Sequence, residues 1–328
     1  TLMSYARVER IEADDIPVID IASLKNADDR QLGRIADELI RAAEGLGFFY
    51  VKGHGVSSNL LDQTYNLAQS FFLSADDIKD SVAVTGGHRG WLRIGEARME
   101  GSKHFDLKES FIWGLDVPSD DGDVIAKDRL LAANRWPDAP TGMCKVFNQF
   151  FVEMQHCGEQ LLRAFAVSLG IQSDYFVRQI DRPVSRAAAV WYPPQAPDLG
   201  DRQFGVSPHT DYGTLTLVKQ DDVGGLQVKS SSGEWVTAHP IADTFVVNVG
   251  DLLARWTNDR FKSTPHRVIN SSGNERISLA MFVDPNWDMM IQPVAREGET
   301  VHYEAIRCAD YVNERYDNAF GYRKTDAA

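Results

Sequence analysis

The sequence predicts an α+β chain whose core is a jelly roll, braced by one long helix and preceded by N-terminal α/β elements. Three observations carry this prediction. After about residue 185 the texture changes to short β-type runs separated by turn signals, the pattern of an antiparallel sandwich or barrel. Gly142 to Leu169 is one helical stretch rich in Phe, Leu and Met, ended by Gly170. Ahead of it, short apolar runs alternate with helical periodicity.

The elements follow in order. Ile16-Pro17-Val18-Ile19-Asp20-Ile21 reads as a short strand, and Ala27 to Leu46 as an amphipathic helix ending at Gly45 or Gly47. Phe48 to Lys52 is a strand closed by Gly53-His54-Gly55. Ser57 or Ser58 caps a helix with Leu60, Leu61, Leu67, Ala68, Phe71 and Phe72 at helical spacing. A short helix follows over Ala75 to Val82. Thr85 to Pro140 is irregular and glycine-rich, apart from a strand over Lys108 to Leu115. The later strands are Ala187 to Tyr192, Thr214 to Val218, Leu226 to Val228, Trp235 to Ala238, Thr244 to Val249, His266 to Ile269, Ile277 to Val283 and Met289 to Gln292. Those eight runs make a jelly roll. A helix over Tyr303 to Tyr316 closes the chain. With no repeat and no linker, residues 1–328 are expected to work as one catalytic unit, with an N-terminal region over 1–140 and a core over 185–300.

Composition narrows the function. At 328 residues and 43% hydrophobic content the chain can bury a large core. A net charge of -13 without a basic run disfavours a nucleic acid partner. No apolar run approaches the roughly 20 residues of a spanning helix, and Thr1 to Arg10 has no apolar leader core, so no membrane partner is expected. Cys144, Cys157 and Cys308 are widely spaced and odd in number, which suits a reducing, cytoplasmic setting.

One constellation carries chemistry. Read as extended chain, His209 and Asp211 in His209-Thr210-Asp211 project from the same face, and so do Arg276 and Ser278 in Arg276-Ile277-Ser278. His266 lies one β-excursion after the triplet. Two histidines and one carboxylate can hold one face of an octahedral ferrous ion and leave the other face open. An isolated His-x-Asp is ordinarily a surface pair, and only the chain context reverses that reading. His104-Phe105-Asp106 is a rival, but its downstream His156 falls in the long apolar helix and no Arg-x-Ser follows. On the strand after residue 276, Ile277, Leu279, Met281 and Val283 fill one face, leaving Arg276, Ser278, Ala280 and Phe282 on the other. A guanidinium on an inward face needs an anion, and Arg offers a carboxylate a planar fork with Ser adding a hydroxyl. Tyr192, before a Pro pair, reads either as a packed turn aromatic or as a phenol reaching the same carboxylate.

These residues resemble the iron(II)/2-oxoglutarate-dependent dioxygenases of the isopenicillin N synthase-like family. Ile16 to Asp20 and Gly47 to Val51 with Gly53-His54-Gly55-Val56 resemble its N-terminal part, and Asp106 to Phe111 its middle. His209 to Gly213, Gly224 to Val228, Asn248 to Asp251 and Arg276-Ile277-Ser278 resemble its catalytic core.

The resemblance implies a double-stranded β-helix, cupin-like, with iron held by His209, Asp211 and His266 as the catalytic centre. It implies 2-oxoglutarate as cosubstrate, its 5-carboxylate on Arg276, Ser278 and Tyr192, with O2 consumed and ascorbate as a reductant. The implied reaction oxidises a small organic molecule, most simply by hydroxylation, with release of succinate and CO2. Tyr212 and Phe282 match positions where relatives present aromatics to the substrate, and the segments bearing Trp91, Arg93 and Phe111 match those that cover the mouth. Arg93 or Arg98 could pair with a substrate carboxylate. One departure stands out: where many relatives carry Arg-x-Asn-Tyr-Tyr-Pro, this chain has Ala188-Ala189-Val190-Trp191-Tyr192-Pro193, which implies a more apolar wall without that arginine. Two alternatives remain, an iron oxidase of the same family that does not use 2-oxoglutarate and a non-catalytic ligand-binding module.

Overall fold

The structure is a computed structural model, and it describes residues 16–26, 29–97, 105–125, 130–195 and 204–319. Seven helices and fourteen strands are described: β1 (Val18–Asp20), α1 (Asp29–Gly45), β2 (Phe48–Lys52), α2 (Ser58–Phe72), α3 (Asp76–Asp80), β3 (Gly90–Leu92), β4 (Glu109–Gly114), α4 (Gly122–Ile125), α5 (Met143–Ser168), β5 (Arg186–Tyr192), β6 (Phe204–His209), β7 (Leu215–Gln220), β8 (Leu226–Lys229), β9 (Trp235–Thr237), β10 (Thr244–Val249), α6 (Asp251–Trp256), β11 (His266–Ile269), β12 (Arg276–Val283), β13 (Met290–Ile291), β14 (Ile306–Arg307) and α7 (Cys308–Ala319). None of the described helices is long and apolar enough to cross a membrane.

Two sheets build the core. The larger has eight strands in the order β1-β2-β10-β7-β12-β5-β4-β3, and the smaller has four, β6-β11-β8-β9. This is the jelly-roll, double-stranded β-helix arrangement that the sequence predicts, with the N-terminal strands lengthening one of its sheets. Period-two alternation decides what each strand gives to either side. Phe49 and Val51 of β2, Ala187 and Ala189 of β5, and Ile277, Leu279 and Met281 of β12 join a core shared with α1, α2 and α5. Phe48, Tyr50, Ala188, Val190 and Tyr192 face the other way, into a second cluster with Val206, Leu226, Val228 and Val268 of the small sheet. That second cluster lines the space between the sheets, where the site lies.

Several expectations shift. β6 is absent from the predicted strands because Gly205 and Pro208 read as turn residues, yet it forms an edge strand, where a proline's missing N–H costs no ladder bond. Met290–Ile291 does not join the jelly roll but pairs with β14, so β6 takes its place among the core strands. Because Ile306–Arg307 is that partner strand, the last helix starts at Cys308 rather than Tyr303. β3 lies in a stretch read as loop, and α6 had no predicted counterpart. Ser57 occupies the N-cap of α2 without a side-chain capping bond.

Candidate active site

His209 ends β6 and His266 begins β11, and the two are direct partners across that strand pair. Asp211 lies two residues past the end of β6, in the turn to β7, so strand parity alone does not place it as the sequence suggested. The first turn of α6 does: Asp251 N–H donates to the Asp211 carbonyl at 2.7 Å, and Leu252 N–H donates to those of Tyr212 and Gly213. Thr210 donates its hydroxyl to the Asp251 carboxylate at 3.0 Å. Gly250 is required for this approach, since a Cβ there would meet the Gly213 carbonyl oxygen at 2.2 Å.

The three side chains converge. Asp211 Oδ1 lies 3.4 Å from His209 Nε2 and 3.6 Å from His266 Nε2. Asp211 Oδ2 is occupied, accepting from Thr216 Oγ1 at 2.6 Å and Asn248 Nδ2 at 2.8 Å. His209 Nδ1–H donates to the Ser207 carbonyl at 2.8 Å and His266 Nδ1–H to the Thr264 carbonyl at 3.2 Å. A carbonyl can only accept, so the proton sits on Nδ1 and both Nε2 lone pairs face Asp211 Oδ1. Among the described residues this is the single His/Cys/Asp/Glu cluster with ligand atoms within 4.8 Å of one another.

Electrostatics agree with a cation site. Burial alone would raise the Asp211 carboxyl, but His266, His209 and the Thr216 hydroxyl outweigh it and hold the group well below the usual carboxylate range. Burial, with His209 alongside, pushes the His266 imidazole down to about 4 despite the opposing pull of Asp211. A neutral imidazole and an ionised carboxylate are what a metal ligand must be.

At the far end of the same wall stands Arg276, 1% exposed. Its Nη2 reaches Gln220 Oε1 at 3.4 Å, but Nε and Nη1 have no hydrogen-bond partner. Its guanidinium carbon lies 4.7 Å from the ring centroid of Tyr192, its partner across β5 and β12. Arg276, Ser278 and Tyr192 share one cavity with His209, Asp211 and His266. Two orphaned buried donors next to a serine hydroxyl and a phenol fit a carboxylate end of a ligand, and the His/His/Asp set fits a ferrous ion.

Family comparison decides the class. Residues 177–285 match the model of the 2OG-Fe(II) oxygenase superfamily, and residues 16–139 that of the non-haem dioxygenase in morphine synthesis N-terminal family. The chain belongs to the 2OG-Fe(II) oxygenase superfamily. The oxygenase is 33% identical to a probable iron/ascorbate oxidoreductase of Dictyostelium discoideum, over 95% of this chain and 91% of the relative. It is also 33% identical to a homoarginine-6-hydroxylase of Oryza sativa, over 92% of this chain and 96% of the relative. Among solved structures, a full-length Neurospora crassa protein in complex with alpha-KG (2-oxoglutarate) and thymine superposes with a TM-score of 0.81 at 30% identity, covering 96% of this chain and 99% of that one. The oxygenase is therefore an enzyme that uses Fe(II) and 2-oxoglutarate on a small molecule.

The remaining predicted site residues divide. Tyr212 and Phe282 line the cavity. Phe111 does not: β4 alternation turns Ser110 and Ile112 inward and buries Phe111 against Phe71, Phe147 and Trp136 on the helix side. Trp91, its partner across β3 and β4, points the same way and donates Nε1–H to Glu109 at 2.7 Å, leaving Leu92 to face the cavity. Arg93 is half-exposed and pairs with Asp80 at 2.6 Å, so it is a surface ion pair. Arg98 and His104 lie outside the described residues. Asp106 of the rival motif supports β6 instead, accepting from Ser207 N–H at 2.9 Å, and His156 is exposed on α5. Sequence reasoning missed His88, Lys108, Arg186, Thr216, Asn248, Asp284 and Tyr316, all of which line the cavity. Arg186 was within reach, since it lies two residues before Ala188 on the same strand face.

Proposed function

We propose that His209, Asp211 and His266 hold Fe(II), that Arg276, Ser278 and Tyr192 hold the 5-carboxylate of 2-oxoglutarate, and that the oxygenase hydroxylates a small organic substrate. The observation that carries this reading is Arg276, buried in the same cavity as the three converging ligands with two guanidinium nitrogens unpaired. Leaving such donors unsatisfied costs about 1–3 kcal/mol, which a bound carboxylate would recover.

When bound, iron and 2-oxoglutarate supply the oxidant: one atom of O2 enters succinate as CO2 leaves, and the other enters a substrate C–H bond. The protein's own part is geometric. Ser207 and Thr264 fix the imidazole orientations, Asn248 and Thr216 leave one Asp211 oxygen for the metal, and Tyr192 backs the Arg276 fork. Residues 1–328 act as one catalytic unit, with the N-terminal region (1–140) extending the sheet of the core (185–300). The three cysteines, none in a disulfide and two of them buried, support a reducing, cytoplasmic setting. Homoarginine and thymine, named for two relatives, are chemically unlike, and neither is adopted as the substrate.

The test is succinate release with Fe(II), ascorbate and O2 across candidate small molecules. Substrate-stimulated succinate that depends on 2-oxoglutarate supports the reading. Substrate oxidation undiminished without 2-oxoglutarate would overturn it in favour of an oxidase whose Arg276 binds the substrate.

A further inference from the structure

Arg186 and Arg276 occupy opposite ends of one wall. On β5 the inward residues are Arg186, Ala188, Val190 and Tyr192, and on β12 they are Arg276, Ser278, Ala280 and Phe282. The strands run antiparallel with Arg186 opposite Phe282 and Tyr192 opposite Arg276. Three side-chain steps separate the ends, roughly 20 Å along the strand. One end is matched to 2-oxoglutarate, and a second buried guanidinium stands at the other.

That end sets a buried guanidinium against flat aromatic rings. Arg186 is 6% exposed, and its guanidinium carbon lies 4.0 Å from the ring centroid of Tyr316 of α7. Tyr316 in turn meets Tyr212 edge-on at 5.8 Å and stacks with His88 at 5.4 Å, so α7 backs both Arg186 and the residue after the Asp211 ligand. Lys108, just ahead of β4 where Glu109 pairs with Trp191, lines the cavity nearer the Tyr192 and Arg276 end, 3.6 Å from Asp106. The described carboxylates that line it are Asp211 and Asp284. Asp211 is turned to the histidines. Asp284 interacts with Arg186 but is also tied to the chain by the Thr214 N–H at 3.0 Å. Between the two arginines the wall is small, with Ala280 opposite Ala188 and Ser278 opposite Val190. Leu92, Ile112 and Phe282 make the sides apolar.

We propose that the substrate is a small carboxylate on a flat apolar body, gripped by Arg186 at the end of the cavity away from Arg276, with Phe282 and Tyr212 flanking its body. This rests on the Fe(II)/2-oxoglutarate reading above and deepens it. A cationic substrate would face Arg186 and the metal together. The arginine missing at position 188 is thus replaced by one on the same face a step further from the cosubstrate, which lengthens the space available to the substrate's body.

The test is succinate release by the Fe(II)-loaded oxygenase with phenylacetate, 3-phenylpropionate and indole-3-acetate, each against its primary amide, with thymine and homoarginine as neutral and cationic probes. The proposal expects at least one acid to stimulate turnover about 10-fold or more over its amide. Arg186→Gln should raise the KM of that acid about 100-fold, the usual scale for losing one partner of a buried ion pair, and Arg186→Lys should restore part of it. The anaerobic absorption band of the Fe(II)/2-oxoglutarate complex and the KM for 2-oxoglutarate should survive in both variants, which separates substrate binding from misfolding. Amides matching acids, stimulation by thymine or homoarginine alone, no stimulation by any acid, or an unchanged KM in Arg186→Gln would each overturn the proposal. A wild-type protein that forms no such band would instead overturn the underlying iron and 2-oxoglutarate reading, and the proposal with it.

Discussion

Arg276 and Tyr192 stand directly opposite each other on β12 and β5, guanidinium over phenol at 4.7 Å, and two nitrogens of that buried guanidinium have no partner. A cation so placed is costly unless an anion joins it. Arg276→Gln should therefore raise the KM for 2-oxoglutarate about 100-fold or more, corresponding to the loss of roughly 3 kcal/mol. Arg276→Lys should fall between, because an ammonium keeps the charge but not the fork. Iron loading, measured by metal analysis, should be unchanged in both.

Asn248 never touches the metal position but occupies Asp211 Oδ2 at 2.8 Å. Removing it frees the carboxylate to rotate and weakens the ligand set. Asn248→Ala should lower Fe(II) affinity about 10–100-fold, the usual scale for an outer partner of a ligand. Equilibrium dialysis under nitrogen measures this directly, and an unchanged affinity would remove Asn248 from the account.

Gly205 on β6 packs against the Tyr192 ring, where an added Cβ would come within 2.5 Å of Cδ1. The tyrosine would have to move off Arg276. Gly205→Ala should raise the KM for 2-oxoglutarate several-fold while metal content stays at one per chain. Cosubstrate kinetics beside metal analysis separate this from general unfolding.

Asp284 carries a pH signature. Burial pushes its carboxyl up to about 6, outweighing Arg186 and the Thr214 N–H, whereas the free group ionises near 3.8. Between those values the folded chain keeps a proton that the unfolded chain has released, so rising pH favours unfolding. Above about 6 the full cost of order 3 kcal/mol is present, and below about 4 it is absent. Asp284→Asn retains an oxygen for the Thr214 N–H but cannot ionise. Denaturant unfolding at pH 4.5 and pH 7 should show the variant gaining stability relative to wild type as pH rises, and a difference that is flat with pH would contradict the assignment.

Much of the site was legible because it follows from alternation. Ser278, Ala280 and Phe282 face the cavity for the same reason that Ile277, Leu279 and Met281 do not, and the sequence carries that pattern openly. Asp211 converges with His209 for a reason parity does not contain, namely the grip of α6 on the turn, which depends on a contact 40 residues away at Asp251. β6 was hidden by Gly205 and Pro208, whose turn character is overridden by the edge position. Phe111 and Trp91 belong to segments that resemble those covering the mouth in relatives, but a resemblance of segments does not fix which strand face looks inward, and Ser110, Ile112 and Leu92 hold the inward positions. Tyr316 was not readable at all, since α7 reaches the cavity only through tertiary packing.

The central claim is that one cavity holds Fe(II) on His209, Asp211 and His266 and 2-oxoglutarate on Arg276. Anaerobic titration of the Fe(II)-loaded oxygenase with 2-oxoglutarate, followed by visible absorption, tests it most directly. The account predicts a band that saturates at one 2-oxoglutarate per chain, is absent in Asp211→Ala, and needs far more 2-oxoglutarate in Arg276→Gln. No band in the wild type, or a band of equal intensity and midpoint in both variants, would contradict it.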